Sequence, residues 1–359
     1  MTKTGTDTAD KPTVNDIARV AGVSLATVDR VLNARPGVRS VTIEKVQQAI
    51  ETLGYVRDTA AANLARKRVY NLLFILPDNT NEFVLALRDE ITQQGHKLFH
   101  ERTHLRTQSV APFDPLEIVK LLDGLDPSTT DGVAVFGPET PSIRDAVRRA
   151  SEKGIAIVAL VSDLPSSPRA HFVGIDNVAA GRTAGRLMGR FVKRSGKVLV
   201  ITGSRLARDH LERRQGFDLV VADEFPHLEV AASIEGQDDP DLIARLLPKV
   251  FQDHPDICGI YSSAGGNRGL LEYMRAASHD DIVIIAHELT SLSHQALLDG
   301  TFDALISQNS GHLIRSAVRL LRATADKSPI NATQELIRID IYLKDNVPPK
   351  MPGPMGGEV

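Results

Sequence analysis

The chain of 359 residues carries 42 lysines and arginines against 45 aspartates and glutamates, a formal charge of −3 at pH 7. Its 42% hydrophobic and 24% charged residues fit a soluble globular protein of two or three domains and exclude a largely disordered, collagen-like or membrane-embedded chain. The single cysteine, Cys258, excludes an intramolecular disulfide and any multi-cysteine zinc or iron–sulfur site.

No run approaches the roughly 18 apolar residues that span a bilayer. The opening MTKTGTDTADKPTVND has no basic segment followed by an apolar core, so a cytoplasmic location is expected. Charge is unevenly distributed: residues 1–68 hold 11 Lys and Arg against 7 Asp and Glu, net +4, and the remainder carries −7. A basic head on an acidic body directs only the head toward a polyanion, where neutralised phosphates release counterions. A solvated basic face has the same composition.

In chain order, the head reads as three short helices. Thr13 can cap a segment in which Val14, Ile17, Ala18 and Ala21 share one face, and Gly22 supplies the positive φ of a sharp turn. Ser24 caps a second segment, with Leu25, Val28, Val31 and Leu32 at helical spacing. A third starts near Val41 or Thr42, continues through Ile43, Val46, Ile50 and Leu53, and stops at Gly54. Two short helices around a Gly turn, with a third beneath, predict a helix-turn-helix.

From Tyr70 the texture changes. Apolar runs at 71–76, 131–136, 154–160, 197–202, 257–262 and 282–286 alternate with amphipathic stretches at 81–94, 142–153, 177–194, 208–223, 240–253, 266–277 and 311–325. Such alternation predicts an α/β core of doubly wound parallel sheets in two lobes, with ligand bound beyond the carboxyl ends of the strands. The Pro- and Gly-rich end, KDNVPPKMPGPMGGEV, predicts a flexible tail.

TVNDIARVAGVSLATVDRVLN (13–33), followed by VTIEKVQQAIETLGYVRDTAAANLARKR (41–68), resembles the DNA-binding head and hinge of the LacI/GalR transcription regulators. The body resembles their effector-binding core, which is related to periplasmic sugar-binding proteins, and the likeness covers about residues 12–345. It implies a helix-turn-helix head at 12–58, a hinge helix and linker at 59–69, a two-lobed effector-binding and dimerisation core at 70–345, and a tail at 346–359.

By this resemblance Leu25 and Ala26 sit where the operator sequence is chosen; as small apolar groups they can meet thymine methyls but cannot hydrogen-bond a base. Arg30 matches the base-reading arginine, whose fork suits guanine O6 and N7, though a surface ion pair is the plain alternative. Thr13, Ser24, Thr27, Asn33 and Tyr55 are placed for phosphate contacts, and for Ser24 and Thr27 simple helix capping is an equally structural role. Asp29 departs from the family's serine, and its expected role is to orient Arg30 or Arg19. In the hinge, Asn63 and Leu64 are implied DNA contacts, with Leu64 the apolar wedge inserted into the minor groove. Arg66, Lys67 and Arg68 would lie near phosphates. The Ala-rich hinge is too short to be a stable helix alone.

In the body the effector candidates follow strands: Asn79, Asn81 and Phe83, then Ser162 and Asp163, Asp209 and Arg213, Asn267, Glu288 and Gln308. Carboxylates, amides and an arginine fork bind sugar hydroxyls in pairs. Arg213, Glu288 and Gln308 match the family's effector-contacting positions. For each polar residue the alternative is a helix cap or solvated loop.

Enzyme readings fail on spacing. His287-Glu288 opens like HExxH, but position 291 is serine. His96, His100 and His104 fall around a stretch, Gly95 with Leu98 and Phe99, that fits a strand and so would not form one helical metal face. AGGNRG lacks the Lys-Ser/Thr of a phosphate-binding loop, no GxSxG occurs, and Cys258 lies inside an apolar strand. No cofactor or metal is called for.

The reading is therefore a ligand-responsive, sequence-specific DNA-binding regulator, a repressor by family pattern and not an enzyme. It would bind a near-palindromic operator as a homodimer and sense a sugar, polyol, sugar acid or phosphosugar. The competing readings are a sugar-binding transport or chemoreceptor protein, in which the head has no role, and a sugar-modifying enzyme, which lacks a nucleophile or acid–base pair.

Overall fold

The computed structural model describes residues 12–32, 35–55, 68–78, 81–277, 279 and 281–348. The chain divides into two units, Met1–Arg68 and Val69–Val359. Asn33, the hinge residues Asn63, Leu64, Arg66 and Lys67, the loop residue Asn79 and the end of the tail lie outside the described residues.

The first unit holds α1 (Val14–Ala21), α2 (Leu25–Leu32) and α3 (Ser40–Leu53). The Asp16 carboxylate accepts from both the backbone N–H and the hydroxyl of Thr13, at 2.9 and 2.8 Å, closing the start of α1. Gly22 ends it with φ 64°, the left-handed conformation that glycine adopts without steric cost. The Ser24 hydroxyl then accepts from the Thr27 backbone N–H at 3.2 Å, the cap of α2. Ile17, Val28, Val46 and Ala49, one or two from each helix, are fully buried together and fix the three helices. Helix α3 starts at Ser40, one to two residues ahead of the apolar pattern, because the cap precedes the first buried position.

The second unit opens with β1 (Tyr70–Pro77), α4 (Glu82–Leu98), β2 (Thr103–Val110), α5 (Pro115–Asp123), β3 (Gly132–Val135), α6 (Pro141–Glu152), β4 (Ala156–Leu160) and β5 (His171–Val173). It continues with α7 (Asn177–Phe191), β6 (Gly196–Thr202), α8 (Arg208–Glu224), β7 (Leu228–Glu235), α9 (Pro240–Asp253), β8 (Ile257–Ser262) and α10 (Asn267–Ala277). It closes with β9 (Val283–His287), α11 (Ser291–Leu298), β10 (Ala304–Ser307), α12 (Ser310–Ala325) and β11 (Asp340–Tyr342).

The near lobe is a parallel sheet of order β2-β1-β3-β4-β5 and the far lobe a sheet of order β11-β10-β9-β8-β6-β7. All far-lobe pairs are parallel except β10–β11. Every residue of β3, β4, β8 and β10 is buried, as expected of strands covered by helices on both faces. Helix α12 follows the far-lobe strand β10 yet packs on β3, β4 and α4 of the near lobe, burying Leu313, Ile314, Ala317 and Leu321. The stretch around Gly95 is helix rather than strand: α4 runs to Leu98 and passes through a 3-10 turn, Phe99–Glu101, before β2. His96 and His100 are therefore helical and turn residues, and His104 alone is on a strand.

Helices α7 and α8 touch backbone to backbone. A Cβ on Gly181 would lie 1.9 Å from the Arg213 carbonyl oxygen, and one on Gly216 would lie 2.1 Å from that of Val178. Arg213 and Asn177, one from each of these helices, are hydrogen-bonded to each other at 2.8 Å.

Candidate functional site: a cleft between two lobes and an exposed recognition helix

The carboxyl ends of the strands in the two sheets face each other across a cavity of about 290 Å3. The near lobe contributes Asn81, Glu82, Phe83, Phe136 and Val161, and the far lobe Asp209, His210, Arg213, Asp238, Asn267, His287 and Glu288. A hydrogen bond bridges the two lobes at the cleft: the Glu82 carboxylate of α4 accepts from the Leu292 backbone N–H of the far lobe at 3.3 Å.

Arg213 is the centre of the far wall, 3% exposed. Its Nε donates to Asn177 Oδ1 at 2.8 Å, Nη1 donates to the Ser263 carbonyl at 2.9 Å, and Nη2 lies 3.6 Å from Glu288 Oε1. Gln308 donates through Nε2 to the same Glu288 oxygen at 3.0 Å. Glu288 itself has φ 69°, a left-handed conformation costing a non-glycine residue about 1–3 kcal/mol. Its backbone N–H is held by the Ile306 carbonyl at 2.8 Å. Burial raises the Glu288 pKa, against the lowering influence of Arg213 and Gln308. Next to it, burial and then the Arg213 charge hold His287 well below the usual histidine value. His287 Nε2 hydrogen-bonds the buried Tyr261 hydroxyl at 2.9 Å.

The sequence candidates divide into those that line the cleft and those that support it. Asn81, Phe83, Asp209, Arg213, Asn267 and Glu288 line it. Asn81 also caps α4, accepting from the Phe83 backbone N–H at 2.9 Å. Asn267 ties the ends of β8 and β9 together, accepting from Ser262 Oγ at 2.7 Å and donating to the His287 carbonyl at 3.3 Å. Gln308 stands behind Glu288 rather than in the lining. Ser162 lies in an adjoining chamber of about 40 Å3, apolar on one side with Val84, Val110, Phe113 and Ile118 and shared with the cleft through Phe136, Asp209, His210 and Asp238. Asp163 is drawn away from the cleft, because Arg169, six residues on, clamps its carboxylate with two guanidinium N–H groups. His210, Asp238, Glu82 and Phe136 line the cleft without having been singled out from the sequence. Asp238 sits in a loop where Gln237 and Asp238 both have positive φ, 51° and 57°, which no local pattern announced.

Several buried polar atoms around the cleft have no protein partner: Ser162 Oγ, Asn177 Nδ2, Asp209 Oδ1, His287 Nδ1 and Gln308 Oε1. A set of unmet donors and acceptors at a cavity suits a ligand rich in hydroxyls.

In the head, α2 buries Val28 and exposes Leu25, Ala26, Asp29 and Arg30. The exposed face is an N-terminal half-helix of the kind that enters a major groove. Asp29 pairs with Arg35 at 3.3 Å, and of its two expected partners, Arg30 and Arg19, Arg19 pairs instead with Asp16 at 2.9 Å. Tyr55 packs on the head core, its backbone N–H donating to the Ile50 carbonyl at 3.0 Å.

Residues 72–329 match the periplasmic binding protein domain, and residues 13–58 match the bacterial regulatory proteins of the lacI family. The fold is shared with a solute-binding protein of an ABC transporter from Burkholderia graminis in complex with D-arabinose (TM-score 0.70, 21% identity, 77% of this chain and 96% of that one). It is shared equally with GanP, a glucose-galactose binding protein from Geobacillus stearothermophilus (0.70, 21%, 78% and 99%). The core thus has the periplasmic-binding-protein fold.

MalI, the maltose regulon regulatory protein of Vibrio furnissii, is 40% identical over 95 residues, 25% of this chain and 69% of that protein. The regulator DegA of Bacillus subtilis is 28% identical over 177 residues, 49% of this chain, and the match spans about half of DegA's own length, 51%. The chain belongs to the LacI/GalR family: a lacI-type helix-turn-helix head joined to a periplasmic-binding-protein-like domain. No helix among the described residues is long and apolar enough to cross a membrane.

Proposed function

We propose that the protein is a cytoplasmic, ligand-responsive regulator that binds a near-palindromic DNA operator as a homodimer and senses a sugar-like, polyhydroxylated effector in the cleft. The observation that carries this reading is the presence in one chain of an exposed α2 face and an interlobe cleft lined by polar side chains, of which Asp209 and His287 carry buried polar atoms without a protein partner. In this reading residues 12–58 are the head, 59–69 the hinge and linker, 70–345 the core and 346–359 the tail. Leu25, Ala26 and Arg30 face bases, with Thr13, Ser24, Thr27, Asn33 and Tyr55 on phosphates and Asn63 and Leu64 at the operator centre. Arg213 and Glu288 orient the effector from the far lobe, with Asp209 and Asn267, while Asn81 and Phe83 hold it from the near lobe; Ser162 and Gln308 act from just behind. Asp163 drops out, because its carboxylate is committed to Arg169.

An effector touching both lobes favours one lobe angle, and only such differential affinity shifts a conformational equilibrium. Selection of bound sequences from a random DNA pool tests the reading. A single enriched motif with two-fold symmetry is the expected result; binding with no sequence enrichment at matched salt would overturn it. A transport or chemoreceptor binding protein leaves the head without a task.

A further inference from the structure

The cleft is unbalanced in charge. Its lining carries four carboxylates, Glu82, Asp209, Asp238 and Glu288, against two cations, Arg213 and Arg268. Both cations are engaged: Arg213 faces Glu288, and Arg268 pairs with Asp241 at 3.1 Å and Glu272 at 3.2 Å. Among the described residues no lysine or arginine pairs with Asp209 or Asp238.

Asp209 is 2% exposed, and its Oδ1 is buried without a hydrogen-bond partner. Its other oxygen lies 3.5 Å from His210 Nε2. On the other side of the ring, His210 Nδ1 accepts from the Ser204 backbone N–H at 3.3 Å. Asp238 lies near the same histidine: a Cβ on Gly203 would lie 2.7 Å from Asp238 Oδ1 and 2.4 Å from His210 Cε1, and Asp209, His210 and Asp238 line the cleft together. The Asp238 carboxylate accepts one backbone N–H, that of Gly265 at 2.9 Å. A buried carboxylate with an unmet oxygen is costly unless a cation or donor reaches it.

Resting on the reading of the cleft as a site for a polyhydroxylated effector, we propose that the effector carries an ammonium group, as an aminosugar or iminosugar does, seated between Asp209 and Asp238 beside His210. Arg213, Glu288 and Asn267 then take its hydroxyls. An anionic sugar, whether a uronate or a phosphosugar, would meet these two carboxylates with no free cation to offset them.

Thermal-shift and calorimetric titrations of the full chain provide the test, with D-glucosamine, D-galactosamine and 1-deoxynojirimycin as cationic probes. The two aminosugars are each paired with the parent hexose and the N-acetyl amide, and 1-deoxynojirimycin with D-glucose. The expected result is that at least one amine binds about 10- to 100-fold more tightly than its neutral counterparts, the worth of one charge-assisted hydrogen bond. Asp209→Asn should collapse that ratio to near unity, and Asp238→Asn should lower it. Hexoses that bind as tightly as their amines overturn the ammonium assignment and leave the cleft a sugar site. Silence from every probe overturns the polyhydroxyl reading itself. An amine preference that survives both substitutions, in variants whose unliganded melting matches the parent's, removes Asp209 and Asp238 from the site.

Discussion

Gln308 Nε2 donates to Glu288 Oε1 at 3.0 Å while the Gln308 backbone N–H approaches the other oxygen, Oε2, at 3.4 Å. Residues from the ends of two neighbouring strands thereby hold one carboxylate in a single orientation, facing Arg213. The left-handed backbone at Glu288 is what turns the side chain back over the end of β9, and the contacts with Gln308 and Ile306 sustain it.

Arg213→Ala or Glu288→Gln should abolish the effector response and leave operator binding by the ligand-free protein nearly intact. Fluorescence anisotropy on labelled operator, with and without effector, reads both quantities. A normal response in both variants would place the pocket elsewhere, and loss of DNA binding in both states would indicate a folding defect.

Glu288 and His287 should give stability opposite slopes with pH. The raised pKa of Glu288 means its contribution is fully present below the unfolded value of about 4.5 and is lost as pH rises through the folded value. The lowered pKa of His287 means its contribution is present above the unfolded value of about 6.5 and is lost as pH falls through the folded value. Urea denaturation from pH 4 to 8 should show Glu288→Gln gaining on the parent as pH rises and His287→Gln gaining as pH falls. Parallel curves for parent and variants would rule out both linkages.

Gly181→Ala and Gly216→Ala each insert a methyl where α7 and α8 already touch, and neither carbonyl oxygen can yield without moving its helix. A loss of about 1–3 kcal/mol is expected for each, more if the helices cannot separate. The Arg213 carbonyl is the atom struck in the first case, so effector affinity should fall together with stability. Chemical denaturation and ligand titration of the two variants measure this; unchanged stability would contradict the backbone contact.

In the head, Arg30→Ala should cost about 1–3 kcal/mol on the operator and relax sequence preference. Leu64→Ala should weaken operator binding more than binding to random DNA. Titrations of both DNAs at matched salt separate the two effects, and parent-like binding by both variants would defeat the head assignment.

Light scattering should show a homodimer. Residues 344–359 contain four prolines and no leucine, so this segment itself cannot form the leucine-heptad coil that joins dimers into tetramers. A stable monomer on operator DNA would count against the dimer.

The apolar runs that became β1, β3, β4, β6, β8 and β9 were legible because strands buried on both faces need continuous apolar sequence. Strand β2, THLRTQSV, was not: it lies at the sheet edge, and Arg106, Thr107 and Gln108 face solvent. β7 lies at the edge of the far sheet, and β5 and β11 have three residues each, too few to show a period. In the site, Arg213 and Glu288 were legible because they stand in helices and loops directly after recognisable strands. Asp163 misled because spacing along the chain cannot reveal that Arg169 folds back on it. His210 and Asp238 were hidden because one sits in the uncapped first turn of α8 and the other depends on two successive left-handed residues.

Helix α12 makes the near lobe wait during synthesis. The near sheet is complete in sequence by Val173, yet the helix that covers β3 and β4 ends at Ala325, about 150 residues later. At about 5–20 residues per second, the emerging chain spends roughly 8 to 30 seconds with that face of the sheet uncovered. The far lobe is made almost entirely within that interval, so the near lobe, the earlier of the two lobes to leave the ribosome, is not the first able to finish folding.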